Sequence, residues 1–387
     1  MGNIKKKVFN IFTVFMIFCI ILSNYSSISA SKTAENVNSA AAVVIDYETG
    51  RVLYEKQAYE KRAMASLTKV MTAIMLVEYC RMDELIEVPA AATWQGGSEV
   101  GLKKGDKVTA KALLYGMMLP SGNDCAYTVA TYIGGTIEEF ATKMTNKARQ
   151  IGATNTSFVT PHGLDAPSHY STAYDMALIT KYALENKYIN EAVNTTSATI
   201  NFGSFSKILT NTNRLLKTYD YIDGVKTGFT NNANRCLIAS ATKNDFRVIA
   251  VVLGAETTDI RFNDAKKLID ASFENYKPED ISNYMKWYIK VPIIKGKQEY
   301  FETSITKNMK YPLTKEEYEK IYIKQNTVPS LEAPVLKGTR MANIEICIEN
   351  EKIYEEEVII DYDIEKKQII DYFSMGLRDA FKIKHTI

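Results

Sequence analysis

A serine followed three residues later by a lysine can pair a nucleophile with its base, because positions i and i+3 share one face of a helix. This spacing occurs five times in the chain, beginning at Ser29, Ser66, Ser204, Ser240 and Ser304. Only Ser66 begins a stretch that is apolar on nearly every side, SLTKVMTAIMLVEY (66–79), which predicts a buried helix. The sequence therefore selects Ser66 as the candidate nucleophile and Lys69 as its base.

Burial would suit Lys69 to this role. Desolvation lowers the pKa of a lysine and a neighbouring cation lowers it further, so the neutral amine can accept a proton. The alternative is a surface lysine that extends its amine into solvent and carries no chemistry.

Two further motifs occur once each. Ser121-Gly122-Asn123 follows a predicted helix (109–119) and is expected on a loop, where its hydroxyl could relay a proton and its amide could orient a lysine or a carbonyl. Lys226-Thr227-Gly228 leads towards two predicted strands. Its glycine lets a ligand approach the strand backbone, and its lysine and threonine can face an anion.

The order Ser-x-x-Lys, Ser-x-Asn, Lys-Thr-Gly is the motif set of penicillin-binding proteins and class A β-lactamases. The chain resembles the low-molecular-mass penicillin-binding proteins, which are serine-type D-alanyl-D-alanine carboxypeptidases. The resemblance covers nearly the whole chain and includes AMASLTKVMTA (63–73), GLKKGD (101–106), LPSGNDCA (119–126), TPHGLD (160–165), HYSTAYDMA (169–177), DGVKTGFT (223–230) and APVLKG (333–338). Cys125 and Asn234-Arg235 depart from the usual pattern, which affects fine substrate preference rather than the chemistry.

The resemblance implies acyl transfer on peptidoglycan stem peptides that end in D-Ala-D-Ala, with β-lactam antibiotics as inhibitors and with no cofactor or metal. It assigns catalysis to three residues. Ser66 attacks the carbonyl between the two D-alanines, Lys69 in its neutral form accepts the serine proton, and Ser121 relays that proton to the leaving amine.

Substrate binding is implied for the remaining motif residues: Asn123, Lys226, Thr227, Gly228, Phe229, Thr230 and Arg261. The backbone N–H groups of Ser66 and Phe229 would form an oxyanion hole, where each donor is typically worth about 3–4 kcal/mol. Lys226 would supply positive field, and Thr227, Thr230 and Arg261 would hold the terminal carboxylate. For Arg261 the alternative is an ordinary solvated position on a helix.

Two other functions share these motifs or this fold. A class A β-lactamase needs a glutamate four residues before an asparagine, and no glutamate between Asp124 and Lys226 has that neighbour. A non-catalytic wall-binding protein would not need every motif residue to be intact. His162 and His169 could suggest a serine triad or a metal site, but the resemblance places both in loop and cap structure. Carboxypeptidases, endopeptidases and transpeptidases share the motifs.

The elements around these motifs predict an α+β catalytic domain over residues 31–280, in which helical layers pack on an antiparallel sheet. A hairpin (41–45 and 51–54) and two late strands around a polar turn (within 235–255) would supply the sheet. Helices are expected over 66–79, 109–119, 137–151 and 259–275, with a further one starting after a cap at Thr172.

Beyond Pro278 the pattern changes to short alternating strands, which predict a small all-β domain over residues 285–362. The chain then closes with a predicted amphipathic helix over residues 363–387. The basic side chains available to a membrane surface are Lys366, Lys367, Arg378, Lys382 and Lys384. The helix is expected to lie in the membrane interface rather than to span the bilayer; the alternative is that its apolar face packs on the β domain.

Residues 1–30 have the pattern of a secretory signal peptide: three lysines, an apolar run of about fifteen residues, and Ala30 as a small residue at the cleavage site. The alternative is an uncleaved anchor. The sequence thus predicts an exported protein, peripheral at the outer face of the cytoplasmic membrane.

Charge and cysteine content narrow the remaining classes. Without the first 30 residues, 44 basic and 45 acidic side chains leave a net charge of −1, so the basic excess of a nucleic-acid binder is missing. Cys80, Cys125, Cys236 and Cys347 are widely spaced and are expected to be small apolar core residues, with a disulfide as the alternative.

Overall fold

The computed structural model describes the backbone of residues 37–382 and the side chains as far as residue 377. The predicted signal peptide (1–30) and the end of the predicted C-terminal helix (383–387) lie outside the described residues.

The first part of the described chain is built on a five-stranded antiparallel sheet in the order β2-β1-β9-β8-β7. Two small two-stranded sheets, β3–β4 and β5–β6, lie apart from it. The strands are β1 (Ala41–Asp46), β2 (Val52–Lys56), β3 (Leu85–Glu87), β4 (Lys107–Thr109), β5 (Ser197–Asn201), β6 (Ser206–Thr210), β7 (Ile222–Thr230), β8 (Asn234–Lys243) and β9 (Phe246–Ala255). The predicted hairpin and the two late strands are confirmed.

Helices pack on both faces of this sheet, as the alternation along β1 requires. Val43 and Ile45 point into the core shared with most of the helices, whereas Ala42 and Val44 point to the other face, which α8 covers. The helices are α1 (Lys69–Tyr79), α2 (Ala110–Met118), α3 (Asn123–Gly134), α4 (Ile137–Ile151), α5 (Ala173–Leu184), α6 (Lys187–Asn194), α7 (Leu215–Thr218) and α8 (Thr258–Asn275). The predicted α+β fold class is confirmed.

The helix predicted over 66–79 begins later than expected. Residues Ala65–Thr68 form a 3₁₀ turn, and the α-helix starts at Lys69. The turn is 3₁₀ because the Lys69 N–H donates to the carbonyl of Ser66, three residues back. Every residue from Lys69 to Leu76 is buried, so the prediction of a helix enclosed by core is confirmed.

Residues from Lys277 onward form the second region, whose strands are β10 (Lys277–Asp280), β11 (Lys286–Ile294), β12 (Tyr300–Thr306), β13 (Lys310–Leu313), β14 (Ile321–Thr327), β15 (Leu331–Glu332), β16 (Arg340–Ile348) and β17 (Glu351–Ile359). They pair as β12-β11-β15, β14-β16-β17 and β10-β13 around a separate apolar core. The short helix α9 (Lys315–Tyr318) and strands β10, β13 and β15 are too short to give a periodic signal. Since β10 pairs with β13, the predicted domain end at 280 falls at the end of a strand of the second region.

The C-terminal helix α10 (Ile369–Lys382) starts six residues later than residue 363, so that part of the prediction is wrong. Ile364 is buried in the second core and exchanges backbone hydrogen bonds with Val335, which removes it from the helix. Lys367 is also unavailable to a membrane, because its amine lies 3.3 Å from a Glu299 carboxylate oxygen and its side chain is 12% exposed. Among residues 37–382, no helix combines the length and the apolar character needed to cross a bilayer.

All four cysteines of the described chain, Cys80, Cys125, Cys236 and Cys347, are buried free thiols. Their burial confirms the prediction that they serve as small apolar core residues.

Candidate active site

Residues of all three motifs line one cleft of about 330 Å³. Its lining residues are Ser66, Gly97, Ser98, Ser121, Asn123, Gly163, Leu164, Thr212, Thr227, Gly228, Phe229, Thr230 and Arg261. Strand β7 lies so close to the 3₁₀ turn that a Cβ on Gly228 would sit 3.1 Å from both the Ser66 nitrogen and the Met64 carbonyl oxygen. The glycine of the Lys-Thr-Gly motif is therefore needed for this close approach.

Lys69 is fully buried directly beneath the cleft. Its amine lies 3.0 Å from Ser66 Oγ, 2.7 Å from Asn123 Oδ1 and 2.9 Å from the carbonyl oxygen of His162. Desolvation, reinforced by the positive charge of Lys226, holds the pKa of Lys69 well below that of a free lysine. The neutral amine that a general base requires is thus favoured, and the solvent-exposed alternative is wrong.

The Ser-x-Asn motif lines the cleft at the start of α3. Ser121 is strained, with φ at +71°, and its buried hydroxyl makes no hydrogen bond to any group in the described part of the chain. Asn123 is the first residue of α3 rather than a loop residue, which corrects the prediction for the end of the motif. Its side-chain nitrogen donates to the Gly96 carbonyl at 2.6 Å, which fixes the oxygen towards Lys69.

Lys226 is the second buried cation of the site. Burial first, and the Arg261 charge second, lower the pKa of Lys226 to about 7. Its amine donates to the Thr227 carbonyl at 3.1 Å, and within residues 37–377 it forms no ion pair with a carboxylate. A substrate carboxylate would therefore meet a positive field that the fold has left uncompensated.

Arg261 reaches the cleft from α8 and is 9% exposed, so the alternative of a solvated helix position is wrong. One guanidinium nitrogen donates to the Gly228 carbonyl at 3.2 Å. Burial lowers the pKa of Arg261 to about 10, which leaves it charged at neutral pH. The structure therefore places a third cation, beside Lys69 and Lys226, and this one lines the cleft.

The two threonines of β7 differ in their surroundings. Thr227 shares a hydrogen bond of 2.6 Å with the hydroxyl of Thr212, whereas Thr230 donates to the Asp165 carboxylate at 2.7 Å. The Thr227 hydroxyl can rotate towards an anion, but the proton of Thr230 is already engaged. Between them, Phe229 is half exposed and carries the Arg235 guanidinium over its ring.

Neither histidine is placed as a catalytic base. His169 bonds Thr68 Oγ1 at 2.9 Å through Nε2 and accepts the Val159 N–H at 2.9 Å through Nδ1. Burial lowers the pKa of His162 to about 3 and that of His169 to about 4, so both are neutral in the folded protein. They hold the loop around 160–169, in agreement with the structural role expected from the resemblance.

Comparison with known proteins agrees with this geometry. Residues 28–257, more than half of the chain, match the family model described as D-alanyl-D-alanine carboxypeptidase. The chain belongs to this family. Residues 285–366 match the model of the C-terminal domain of penicillin-binding protein 5.

Individual relatives extend over nearly the whole chain. The D-alanyl-D-alanine carboxypeptidase DacF of Bacillus subtilis is 34% identical, covering 95% of this chain and 97% of its own. DacC of Escherichia coli is also 34% identical, with 88% of each chain covered. Penicillin-binding protein 5 from Haemophilus influenzae superposes with a TM-score of 0.75 at 25% identity, over 87% of this chain and all of that one. The resemblance inferred from the motifs is confirmed.

Three contributors in this family member were not singled out from the sequence. The His162 carbonyl completes the Lys69 cradle, and Thr212 pairs with Thr227. Asp124 accepts the N–H groups of residues 100, 101 and 102 at 2.8–3.1 Å, which pins the loop in front of α3. A backbone carbonyl leaves no side-chain signal, while Asp124, as an acid in the first turn of a helix, resembles an ordinary helix-capping residue.

Proposed function

We propose that this D-alanyl-D-alanine carboxypeptidase acts through Ser66 as nucleophile and Lys69 as its base, on stem peptides of peptidoglycan. The observation that carries the proposal is the position of the Lys69 amine. It is buried, depressed in pKa and 3.0 Å from Ser66 Oγ at the floor of the cleft. The direct test is release of free D-alanine from a D-Ala-D-Ala peptide, measured with and without penicillin.

The proposed reaction has three steps. Ser66 Oγ forms a bond to the carbonyl carbon between the D-alanines while its proton passes to Lys69. The oxyanion lies against the N–H groups of Ser66 and Phe229. When the C–N bond breaks, Ser121 passes a proton from Lys69 to the departing D-alanine amine, and water then hydrolyses the acyl ester.

Binding of the substrate uses the cations around β7. In the proposed complex the terminal carboxylate binds to Thr227 and Arg261, which line the cleft, with Thr212 supporting the Thr227 hydroxyl. The buried charge of Lys226 attracts it without lining the cleft. Asn123 holds Lys69 and can accept or donate to the peptide. Thr230 contributes through its hold on Asp165 rather than through a free hydroxyl.

Penicillin is expected to act as a slow-leaving inhibitor. Among the described residues that line the cleft there is no glutamate or aspartate that could activate water against the acyl ester. A penicilloyl-enzyme should therefore persist far longer than the time needed for acylation. A chase of fluorescent penicillin with excess unlabelled drug measures the decay of the penicilloyl-enzyme. Rapid multiple turnover of penicillin would contradict this expectation and favour the β-lactamase function.

We also propose that the protein is exported and lies at the outer face of the cytoplasmic membrane, attached through α10. The support is the predicted signal peptide together with the exposure of Ile369 (90%), Ile370 (63%) and Phe373 (64%). Side chains so exposed are not packed on the β domain. Their burial in a lipid interface would remove this apolar surface from water.

Truncation after Gln368 should release an active enzyme from membranes. This position keeps Ile364 in the second core, whereas a cut before it would remove core packing. Sedimentation with anionic vesicles should fall to background for the truncated chain and for Ile370→Asp/Phe373→Asp. The matched control Met375→Asp, on the opposite face of α10 from Ile370 and Phe373, should change sedimentation by less than twofold. Equal sedimentation of full and truncated chains would reject the anchor.

A further inference from the structure

Trp94 is the most exposed large apolar side chain of the catalytic part, at 90%. The other tryptophan, Trp287, is 5% exposed in the β domain. An indole in water is unusual, since tryptophan is a highly buried residue type on average. No function described above uses this side chain, so its position calls for a reason of its own.

The loop that carries Trp94 is held by the catalytic machinery. Asn123 donates from its side chain to the Gly96 carbonyl at 2.6 Å and from its backbone to the Ser98 carbonyl at 2.7 Å. A Glu99 carboxylate oxygen accepts the N–H groups of residues 95 and 96 at 2.7 and 3.0 Å. Trp94 therefore lies on a loop (94–99) that these hydrogen bonds hold in place.

The distance that the loop can span from the cleft to Trp94 is comparable with the length of the substrate. Gly97 lines the cleft, and three residues of chain place Trp94 no more than about 11 Å further away. Four stem-peptide residues on the acyl side of the scissile bond extend to about 13 Å. The sugar that carries the stem peptide and the indole of Trp94 can therefore both lie about one extended tetrapeptide from the cleft.

We propose that Trp94 is a stacking platform for a pyranose ring of the peptidoglycan glycan chain. The C–H face of a pyranose is flat and apolar and its hydroxyl groups project from the edge, which suits a flat indole with one open face. The proposal rests on the function proposed above. A lipid headgroup region is the competing occupant of an exposed tryptophan, and it enters as an outcome of the test.

The kinetic test compares two substrates that share the scissile bond. One is a soluble disaccharide-pentapeptide, and the other is a short peptide ending in D-Ala-D-Ala that lacks sugar. Trp94→Ala should lower kcat/KM on the disaccharide substrate about tenfold more than on the short peptide, a factor that corresponds to 1.4 kcal/mol. Trp94→Tyr should recover part of the difference because it keeps an aromatic face.

Tyr79→Ala is the matched control. Tyr79 is also an exposed aromatic, at 56%, but it ends α1 about 15 Å from Lys69. Tyr79→Ala should lower kcat/KM equally on both substrates or leave both values unchanged. Equal loss on both substrates for Trp94→Ala would overturn the proposal. Absence of D-alanine release by the unmodified chain would instead refute the proposed function.

Binding can be observed without turnover. In Trp287→Phe the only remaining indole is Trp94, so its emission reports this position alone. Soluble glycan oligosaccharides without peptide should shift the emission to the blue and protect it from acrylamide. No change with glycan, or a change caused only by anionic vesicles, would overturn the proposal in favour of no site or of a membrane contact.

Discussion

The Ser66→Ala variant should lose both D-alanine release and covalent labelling by fluorescent penicillin, because without Oγ no acyl-enzyme can form. Loss of the nucleophile in an acyl-transfer enzyme typically lowers kcat by about 10⁴-fold to 10⁶-fold. The side chain is small and lines the cleft, so the fold should be kept and the melting temperature should change little.

Two serines with the same spacing to a lysine provide the controls. Ser204 lies in the turn between β5 and β6, and Ser240 lies within β8, where it bonds the Asp223 carboxylate. Neither lines the cleft, so Ser204→Ala and Ser240→Ala should both label with penicillin. Labelling that survives in Ser66→Ala would remove Ser66 from the mechanism.

Lys69→Arg should abolish acylation while the chain remains folded. Arginine keeps the positive charge but does not deprotonate near neutral pH, so the proton of Ser66 has no acceptor. The guanidinium is also larger than the site formed by Asn123 Oδ1 and the His162 carbonyl. We expect a fall of at least about 10³-fold in the rate of penicillin labelling, measured by stopped-flow or quenched-flow labelling. An acylation rate near that of the unmodified chain would show that Lys69 is not the base.

The pH dependence of kcat/KM is an independent test of the roles of Lys69 and Lys226. Activity should rise with pH as Lys69 loses its proton, because its neutral form is the base. It should decline as pH rises through about 7, where Lys226 loses the charge that attracts the substrate carboxylate. A neutral substrate lacking the carboxylate should retain the ascending limb and lose much of the descending one.

The sequence was sufficient to predict the family because each motif is a short run of specific side chains on a strongly patterned element. Apolar patterning also predicted several elements correctly. These are the long helices Ile137–Ile151 and Thr258–Asn275 and the paired strands β8 and β9. The start of α1 could not be predicted in this way, since four residues are too few to distinguish the period of a 3₁₀ turn from that of an α-helix.

Contacts between distant segments were also beyond the sequence. The sequence predicts a helix from residue 363, but the backbone of Ile364 pairs with Val335 instead. That pairing is decided by the second core, not by local preference. The same holds for Thr230, whose hydroxyl looked available until the fold placed Asp165 2.7 Å away.

The position of β1 constrains the order in which the chain can fold. This strand, near the start of the described chain, lies between β2 and β9, where Ala41 pairs with Leu253. The preceding Ser39 hydroxyl donates to the Asp264 carboxylate at 2.6 Å. Such distant pairings carry a large loop-closure cost and make folding slow. The β1–β2 hairpin, which is synthesised before the rest of this sheet, must therefore keep an unpaired edge open while the 189 residues between Lys56 and Phe246 follow. A chaperone that shields strand edges would protect it during this period.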